Sequence, residues 1–142
     1  MQITRQADYA LRAMLYLARN EKFEKDNKKA TTSQIAKDQE IPASFLAKII
    51  SQLSIAGLID TTRGASGGVS LKKDKKEITL LDVVEAIDGP ITLNECTQNP
   101  KICTFGETCP LHSVWCEAQL ELVNKLRSTT FEKLIAMEKS KA

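Results

Sequence analysis

The residues best suited to chemistry in this chain lie together in one short segment, residues 96–112. The segment holds three of the four cysteines, Cys96, Cys103 and Cys109, and the chain's single histidine, His112. Six residues separate the first two cysteines, five separate the next two, and two separate Cys109 from His112. Thiolates and imidazole are ligands for zinc, iron and iron–sulfur clusters, and cysteines also form disulfides. The segment therefore predicts either a metal centre or a disulfide-stapled loop.

Composition favours the metal centre. The chain has 142 residues, 42% hydrophobic and 27% charged, which is the balance of a folded domain with a core of ordinary size. Neither the opening MQITRQADYA nor any later stretch has the apolar run of a signal peptide or membrane span, so we expect a cytoplasmic protein with no membrane partner. In a reducing cytoplasm, clustered cysteines bind metal or do redox work more often than they form disulfides. An enzyme is disfavoured, because no nucleophile–base set remains once the histidine joins the ligands.

Two helices are predicted in the first forty residues. Thr4 is a candidate N-cap for a first helix that runs to about Arg19, along which apolar residues recur at helical spacing. The charged stretch 21–30 lacks periodicity and is expected to be a surface loop. Thr31-Thr-Ser-Gln34 forms a capping box that opens a second helix. This helix is expected to end near Glu40, because a proline follows at position 42.

The next segment predicts a helix, a hairpin and another helix. The helix spans 42–57, with a proline in its first turn and a glycine as its C-cap. Strands are predicted at 58–62 and 68–72, joined by a turn rich in glycine. A threonine cap at position 79 then opens a helix that ends at Gly89. This order is that of a winged helix-turn-helix domain over residues 1–89, and the fold class is mainly α (α+β).

One side of the predicted winged helix is suited to DNA. We expect the third helix to enter a major groove and the wing to reach the backbone or the minor groove. The alternative is a protein-interaction module, a common use of such folds. A net charge of +2 does not decide between them, but the basic residues at and after the wing favour DNA. The residues predicted to contact DNA are Ser44, Lys48, Ser51, Gln52, Arg63, Gly64, Lys72 and Lys73.

A long C-terminal helix completes the predicted architecture. Apolar residues recur at helical spacing from about Pro110 to Arg127, and Ser128-Thr129-Thr130 is expected to cap a short final helix. The aliphatic stripe beside Trp115 has no second domain to cover it, which predicts a homodimer through this helix. Packing on the chain's own winged helix is the alternative. The predicted organisation is a winged helix at 1–89, a cluster-binding loop at 90–109, and a dimerisation helix with a short final helix at 110–142.

Three stretches together resemble the Rrf-two (Rrf2) family of bacterial transcription regulators. They are TRQADYALRAMLYLA, then IPASFLAKIISQLSIAGLIDTTRGASGGVSL, and the cysteine loop with the long helix after it. The resemblance implies a homodimer that binds palindromic operators in double-stranded DNA. It also implies an iron–sulfur cluster held by Cys96, Cys103 and Cys109. The implied function is a transcriptional regulator, with repression the expected output, whose operator affinity is controlled by a cluster sensing Fe–S status, redox or nitric oxide.

The fourth cluster position has two candidates by the same resemblance. His112 matches the histidine of IscR-type members, and Asp8 lies where NsrR-type members carry a carboxylate that reaches the cluster of the partner subunit. We favour His112, because imidazole is an established iron ligand, and with it a 2Fe–2S cluster, with 4Fe–4S as the alternative. Cys116, one helical turn after His112, is expected to be a small buried side chain in the dimer helix. It stays open as a further ligand.

Two departures from the family pattern limit the inference. The first cysteine spacing is one residue longer than in IscR-type members, and Ala47 stands where those members carry a glutamate in the recognition helix. An IscR-like operator is therefore not assumed. One alternative function is a zinc-stabilised winged helix that uses the same four ligands, which the lack of a Cys-x-x-Cys pair disfavours. The other is a clusterless thiol- or ligand-sensing regulator of the CymR type, which the loop cysteines disfavour.

Overall fold

The computed structural model describes residues 2–20, 29–64 and 67–141. In chain order the elements are α1 (Arg5–Arg19), α2 (Thr32–Asp38), α3 (Ala43–Ile55), β1 (Ile59–Thr62), β2 (Gly68–Leu71), α4 (Leu80–Asp88), α5 (Glu95–Gln98), α6 (Pro110–Arg127) and α7 (Phe131–Lys141). Short 3-10 turns at Pro100–Ile102 and Gly106–Thr108 lie between α5 and α6. This mainly helical chain with a two-stranded wing confirms the predicted fold class. The predicted surface loop lies, for residues 21–28, outside the described residues.

Side-chain caps begin three of the helices, as predicted. The Thr4 side chain accepts a hydrogen bond from the third residue of α1, and Thr31 and Thr79 each form a full capping box, at α2 and α4. Such caps satisfy backbone N–H groups that a helix leaves without partners. Thr4 also donates from its backbone N–H and its hydroxyl to the carboxylate of Asp88. The start of α1 is therefore tied to the end of α4.

Two residues with positive φ shape the helix-turn-helix and its exit. Glu40, between α2 and α3, has a φ of 53°, and Gly57, after α3, has a φ of 78°. At the second position the N–H of Leu58 donates to the carbonyl of Leu53 at 3.0 Å, which reverses the chain into β1. Glycine meets this requirement without strain because it has no Cβ. The C-cap residue of α3 is Ala56, and Gly57 directly after it has the predicted left-handed conformation.

The wing is an antiparallel hairpin in which Ile59 pairs with Leu71 and Thr62 with Gly68. Ala30 extends the hairpin, since it exchanges two backbone hydrogen bonds with Val69 at 3.2 and 2.7 Å. A Cβ on Gly67 would lie 2.3 Å from the carbonyl oxygen of Thr62, well inside a van der Waals contact. The wing therefore needs glycine at this position to close.

The core lies between α1, α3, α4 and the wing, and α7 completes it. The predicted apolar face of α3, formed by Leu46, Ile49, Ile50 and Leu53, is buried. Phe131 and Ile135 of α7 belong to the same core, whereas α6 has no buried side chain. The two parts of the predicted segment 110–142 thus differ, since only α7 is part of the core. Within the described ranges, no helix is long and apolar enough to cross a membrane.

Candidate metal-binding cavity and DNA-binding face

The cysteine loop folds through a series of tight turns that local side chains stabilise. The Asn94 side chain accepts the N–H of Glu95 at 2.9 Å and so caps α5. The Asn99 side chain accepts the N–H of Lys101 at 3.1 Å, at the start of the first 3-10 turn. Gly106, with a φ of 59°, opens the second. These turns, and not a long helix or strand, allow several cysteines to approach one another.

The loop is fastened to α6 at both ends. At its start the N–H of Leu93 donates to Oε1 of Gln119 at 2.9 Å. At its end Cys109 occupies the N-cap position of α6, and the N–H of His112 donates to the Cys109 carbonyl at 3.1 Å. Cys109 and His112 therefore belong to the first turn of α6, and Cys96 lies on α5. The cysteine loop is therefore in direct contact with the start of the long helix.

The structure brings the four predicted ligands to one cavity of about 330 Å³. Cys96, Cys103, Cys109 and His112 line it, together with apolar side chains that include Phe105 and Trp115. Cys103 is exposed, the other two loop cysteines are half-buried, and all are free thiols. Among the described residues, no three ligand-type side chains are closed around a single metal position. The donor set fits an iron–sulfur cluster or zinc in kind, and the loop has to close to hold either one.

The neighbouring thiols influence the ionisation of Cys96. Desolvation raises the pKa of Cys96, and the neighbouring Cys116, Cys103 and Cys109 raise it further. Thiols that lie close together resist deprotonation, because the negative charge of one thiolate disfavours the formation of a second beside it. A bound metal reverses this balance, since its positive charge stabilises the thiolates that coordinate it. The cluster of sulfurs therefore suits a metal better than free thiolates.

Cys116 is the ligand-type residue whose contact with His112 was not predicted from the sequence. Its side chain is half-buried, not fully buried as expected, and its Sγ lies 3.5 Å from Nε2 of His112 and 4.0 Å from Nδ1. The spacing of four residues after His112 was the available signal, because residues i and i+4 share a helix face. Asp8 does not line the cavity in its own chain, and its carboxylate pairs with Arg12 at 2.8 Å.

A second, open groove lies between α3 and the wing. It has a volume of about 750 Å³, and three of the predicted DNA-contacting residues line it, namely Ser51, Arg63 and Gly64. Among its described lining residues, Arg63 supplies the cationic side chain. The recognition helix and the wing are therefore adjacent, and a phosphate backbone in the groove would meet hydroxyl groups and one guanidinium.

The other predicted DNA-contacting residues lie outside the groove lining. Ser44 and Lys48 are exposed on α3, outside the groove lining. Gln52 is half-buried, and its Oε1 is buried with no hydrogen-bond partner among the described residues. Lys72 and Lys73 are exposed directly after β2, at the end of the hairpin opposite the Thr62–Gly68 tip.

Comparison with known proteins agrees with this architecture. The family model described as "Rrf2: Iron-dependent Transcriptional regulator" matches residues 3–137. The HTH-type transcriptional regulator NsrR of Shouchella clausii is 32% identical over 139 residues, which are 97% of this chain and 91% of that protein. The HTH-type transcriptional regulator IscR of Photorhabdus laumondii subsp. laumondii is 30% identical over 135 residues, covering 95% and 79%.

A solved structure shows the same fold. CymR, described as the global cysteine regulator of B. subtilis, superposes with a TM-score of 0.81 and 26% identity, over 96% of this chain and 98% of that one. These relatives are regulators, which confirms the prediction that the chain is not an enzyme. With a helix-turn-helix, a wing and a family match over nearly its full length, the chain belongs to the Rrf2 family of DNA-binding transcriptional regulators.

Proposed function

We propose that the protein is an NsrR/IscR-like repressor, homodimeric on a palindromic operator, whose DNA affinity depends on an iron–sulfur cluster. The observation that carries this proposal is the cavity beside the first turn of α6, which is lined by Cys96, Cys103, Cys109 and His112. The description of the family as iron-dependent and the relatives named NsrR and IscR support it. Fe–S status, redox or nitric oxide is the signal that such a centre would report.

The cluster ligands are assigned from this chain's own donors. Cys96, Cys103 and Cys109 supply three thiolates, and His112 supplies the fourth donor. Asp8 from a second copy is the alternative, since it does not line the cavity in its own chain. A bound cluster supplies redox chemistry and lability towards oxidants, and a histidine ligand favours the 2Fe–2S form over 4Fe–4S.

The dimer follows from the exposed apolar side of α6. In the single chain Leu111 is 63% exposed and Val114 56%, which is unusual for a helix this long in a soluble domain. If α6 of a second copy packs against this side, it buries both side chains. Because the cavity adjoins the first turns of α6, the order of the loop bears on the spacing of the two α3 helices. Half-site spacing is strict in dimers of this kind.

The free energy of ordering the loop is large enough to change operator affinity. Ordering a residue costs about 1 kcal/mol, and the segment 96–112 contains 17 residues. A tenfold change in affinity needs only about 1.4 kcal/mol. A small part of the ordering energy, transmitted through α6, therefore changes operator affinity by tenfold or more.

Two experiments test the proposal. Metal and sulfide analysis of anaerobically purified protein should find iron and sulfide, and zinc without iron would overturn it. On an operator recovered by binding-site selection from random duplexes, Arg63→Ala should weaken binding about tenfold with the cluster retained. Lys72→Ala and Lys73→Ala should mainly reduce the salt dependence of binding, because they remove phosphate contacts. Binding unchanged in all three variants would assign the winged helix to another partner.

A clusterless thiol-sensing regulator is the second candidate. The likeness to CymR and the exposure of Cys103 favour it. In that case protein purified anaerobically contains no iron, and oxidation of the loop thiols alone changes operator binding.

A further inference from the structure

The most exposed large apolar side chain among the described residues lies on the recognition helix. Ile55, the last residue of α3, is 85% exposed, against 72% for Phe105 in the cysteine loop. A single exposed apolar side chain is common on protein surfaces. This one, however, lines the open groove between α3 and the wing, and the exposed Ala47 lines it too. The DNA-binding face therefore carries two apolar side chains that are open to solvent.

The two apolar residues lie on one side of α3. Ala47, Ser51 and Ile55 recur every four residues, all three are exposed, and all three line the groove. With a rise of 1.5 Å per residue, Ala47 and Ile55 are about 12 Å apart along the helix axis. Successive base pairs are about 3.4 Å apart. Two such side chains in one DNA groove would therefore contact different base pairs.

The part of the groove that α3 forms offers methyl groups and hydroxyls. Its lining residues from α3 are Ala47, Ile50, Ser51, Ser54 and Ile55. Guanine is commonly read by arginine or lysine and adenine by asparagine or glutamine, and the described lining takes none of these types from α3. In the major groove the 5-methyl group of thymine is the apolar group that a base presents. Thymine is therefore the base that matches this helix face.

We propose that Ala47 and Ile55 determine specificity, each through apolar contact with the 5-methyl group of a thymine in the operator half-site. The proposal rests on DNA binding by α3, which is part of the proposed function, and it does not depend on the cluster. Arg63 and the hydroxyl groups of the groove position the backbone, and the two apolar side chains select the base.

The test replaces thymine with deoxyuridine, which lacks the 5-methyl group and pairs with adenine in the same way. An operator is recovered by binding-site selection with anaerobically purified protein, and each thymine of one half-site is replaced in turn. Fluorescence anisotropy at one salt concentration measures the affinities. At two separate thymines the wild type should bind about fourfold more weakly after replacement, as expected for one buried methyl group.

The variants assign each thymine to its side chain. Ile55→Ser should abolish the deoxyuridine penalty at one of the two thymines, and Ala47→Gly should abolish it at the other. Lys72→Ala is the matched control, because the loss of a phosphate contact weakens binding to both DNAs and leaves both penalties at about fourfold. Each penalty compares two DNAs on the same protein, so a general loss of affinity or stability in a variant cancels.

Two results would overturn the proposal. One is a half-site in which no thymine shows a deoxyuridine penalty, and the other is a pair of penalties that stay the same in Ile55→Ser and Ala47→Gly. In both cases the protein still binds its operator, so the proposed function stands. If no operator is recovered at all, the proposed function and this inference fail together.

Discussion

The winged-helix core and the segment from the cysteine loop through α6 are built in opposite ways. In the core, side chains from distant parts of the chain, among them Met14, Leu53 and Phe131, are almost fully buried. In the other segment Phe105 is 72% exposed and α6 has no buried side chain. The core is complete within one chain. In the proposed function, a second copy and a metal centre complete the cysteine segment.

The two regions meet at the C-terminal end of α6. There the N–H of Leu80 donates to the Thr129 carbonyl at 2.9 Å, and the N–H of Phe131 donates to the Ile78 carbonyl at 3.1 Å. α6 is thus fixed to the core where it ends and joined to the cysteine loop where it begins. The cysteine loop therefore contacts the first turn of a helix whose last turn is held by the core.

The largest expected effect is a difference in stability between two Phe→Ala variants, one in the core and one in the cysteine segment. Phe131→Ala should lower the free energy of unfolding by about 3–5 kcal/mol, because it leaves a cavity in the core. Phe105→Ala, at an exposed side chain, should change it by less than about 0.5 kcal/mol. Urea denaturation measures both. Similar losses in the two variants would contradict the division into a closed core and an open segment.

A charge on α6 tests what completes the open segment. Val114→Glu should weaken dimerisation by about 2 kcal/mol or more, because it buries a carboxylate in the interface. Ser113→Glu is the control, because it adds the same charge to a neighbouring exposed position on a different side of α6. Sedimentation velocity measures the dimer. A Val114→Glu protein that dimerises as well as the wild type would show that another surface forms the dimer.

Removing a helix cap is expected to lower stability by less than the changes above. Thr31→Ala should cost about 1 kcal/mol of stability, because it removes the hydroxyl that accepts a hydrogen bond from the N–H of Gln34 in the capping box at α2. Ser33→Ala, exposed in the first turn of the same helix, is the control. Thermal unfolding compares them, and an equal loss in both would assign the effect to helix propensity and not to the cap.

The smallest expected effect is on the pH dependence of stability. It comes from the ion pair between Arg19 of α1 and Glu138 of α7. The hydrogen bond and charge of Arg19 lower the pKa of Glu138, and desolvation partly opposes this. The folded pKa lies below the unfolded value, so the stabilisation is present above the ordinary value of 4.5 and is lost as the pH falls through the lowered one. Because both side chains are about 40% exposed, it amounts to less than about 1 kcal/mol. Glu138→Gln should flatten the curve of unfolding free energy against pH in this acidic range, as measured by urea denaturation at each pH.

The fold was predictable where the signals are local. The caps at Thr4, Thr31 and Thr79, the left-handed Gly57 and the apolar face of α3 each depend on residues within a few positions of one another. Periodicity and capping report such short-range preferences. The place of α7 in the core was not predictable in this way, because it depends on packing between Phe131 and residues far away in sequence.

The candidate site was predictable in its residue types and not in its geometry. The spacing of Cys96, Cys103, Cys109 and His112 indicated a common ligand set, and the structure places all four around one cavity. The contact between Cys116 and His112 depends on the side-chain orientation at the start of α6. Helical spacing allows that contact but does not require it, since residues four apart are neighbours whatever their chemistry.

In the proposed function, the cluster controls the affinity of the protein for its operator DNA. The most direct measurement compares holo protein, cluster-free protein and Cys103→Ala on the same operator, anaerobically and at one salt concentration, because affinity for DNA depends strongly on salt. We predict that holo protein binds at least about tenfold more tightly than the other two, which corresponds to about 1.4 kcal/mol. Equal affinities for all three would contradict the claim.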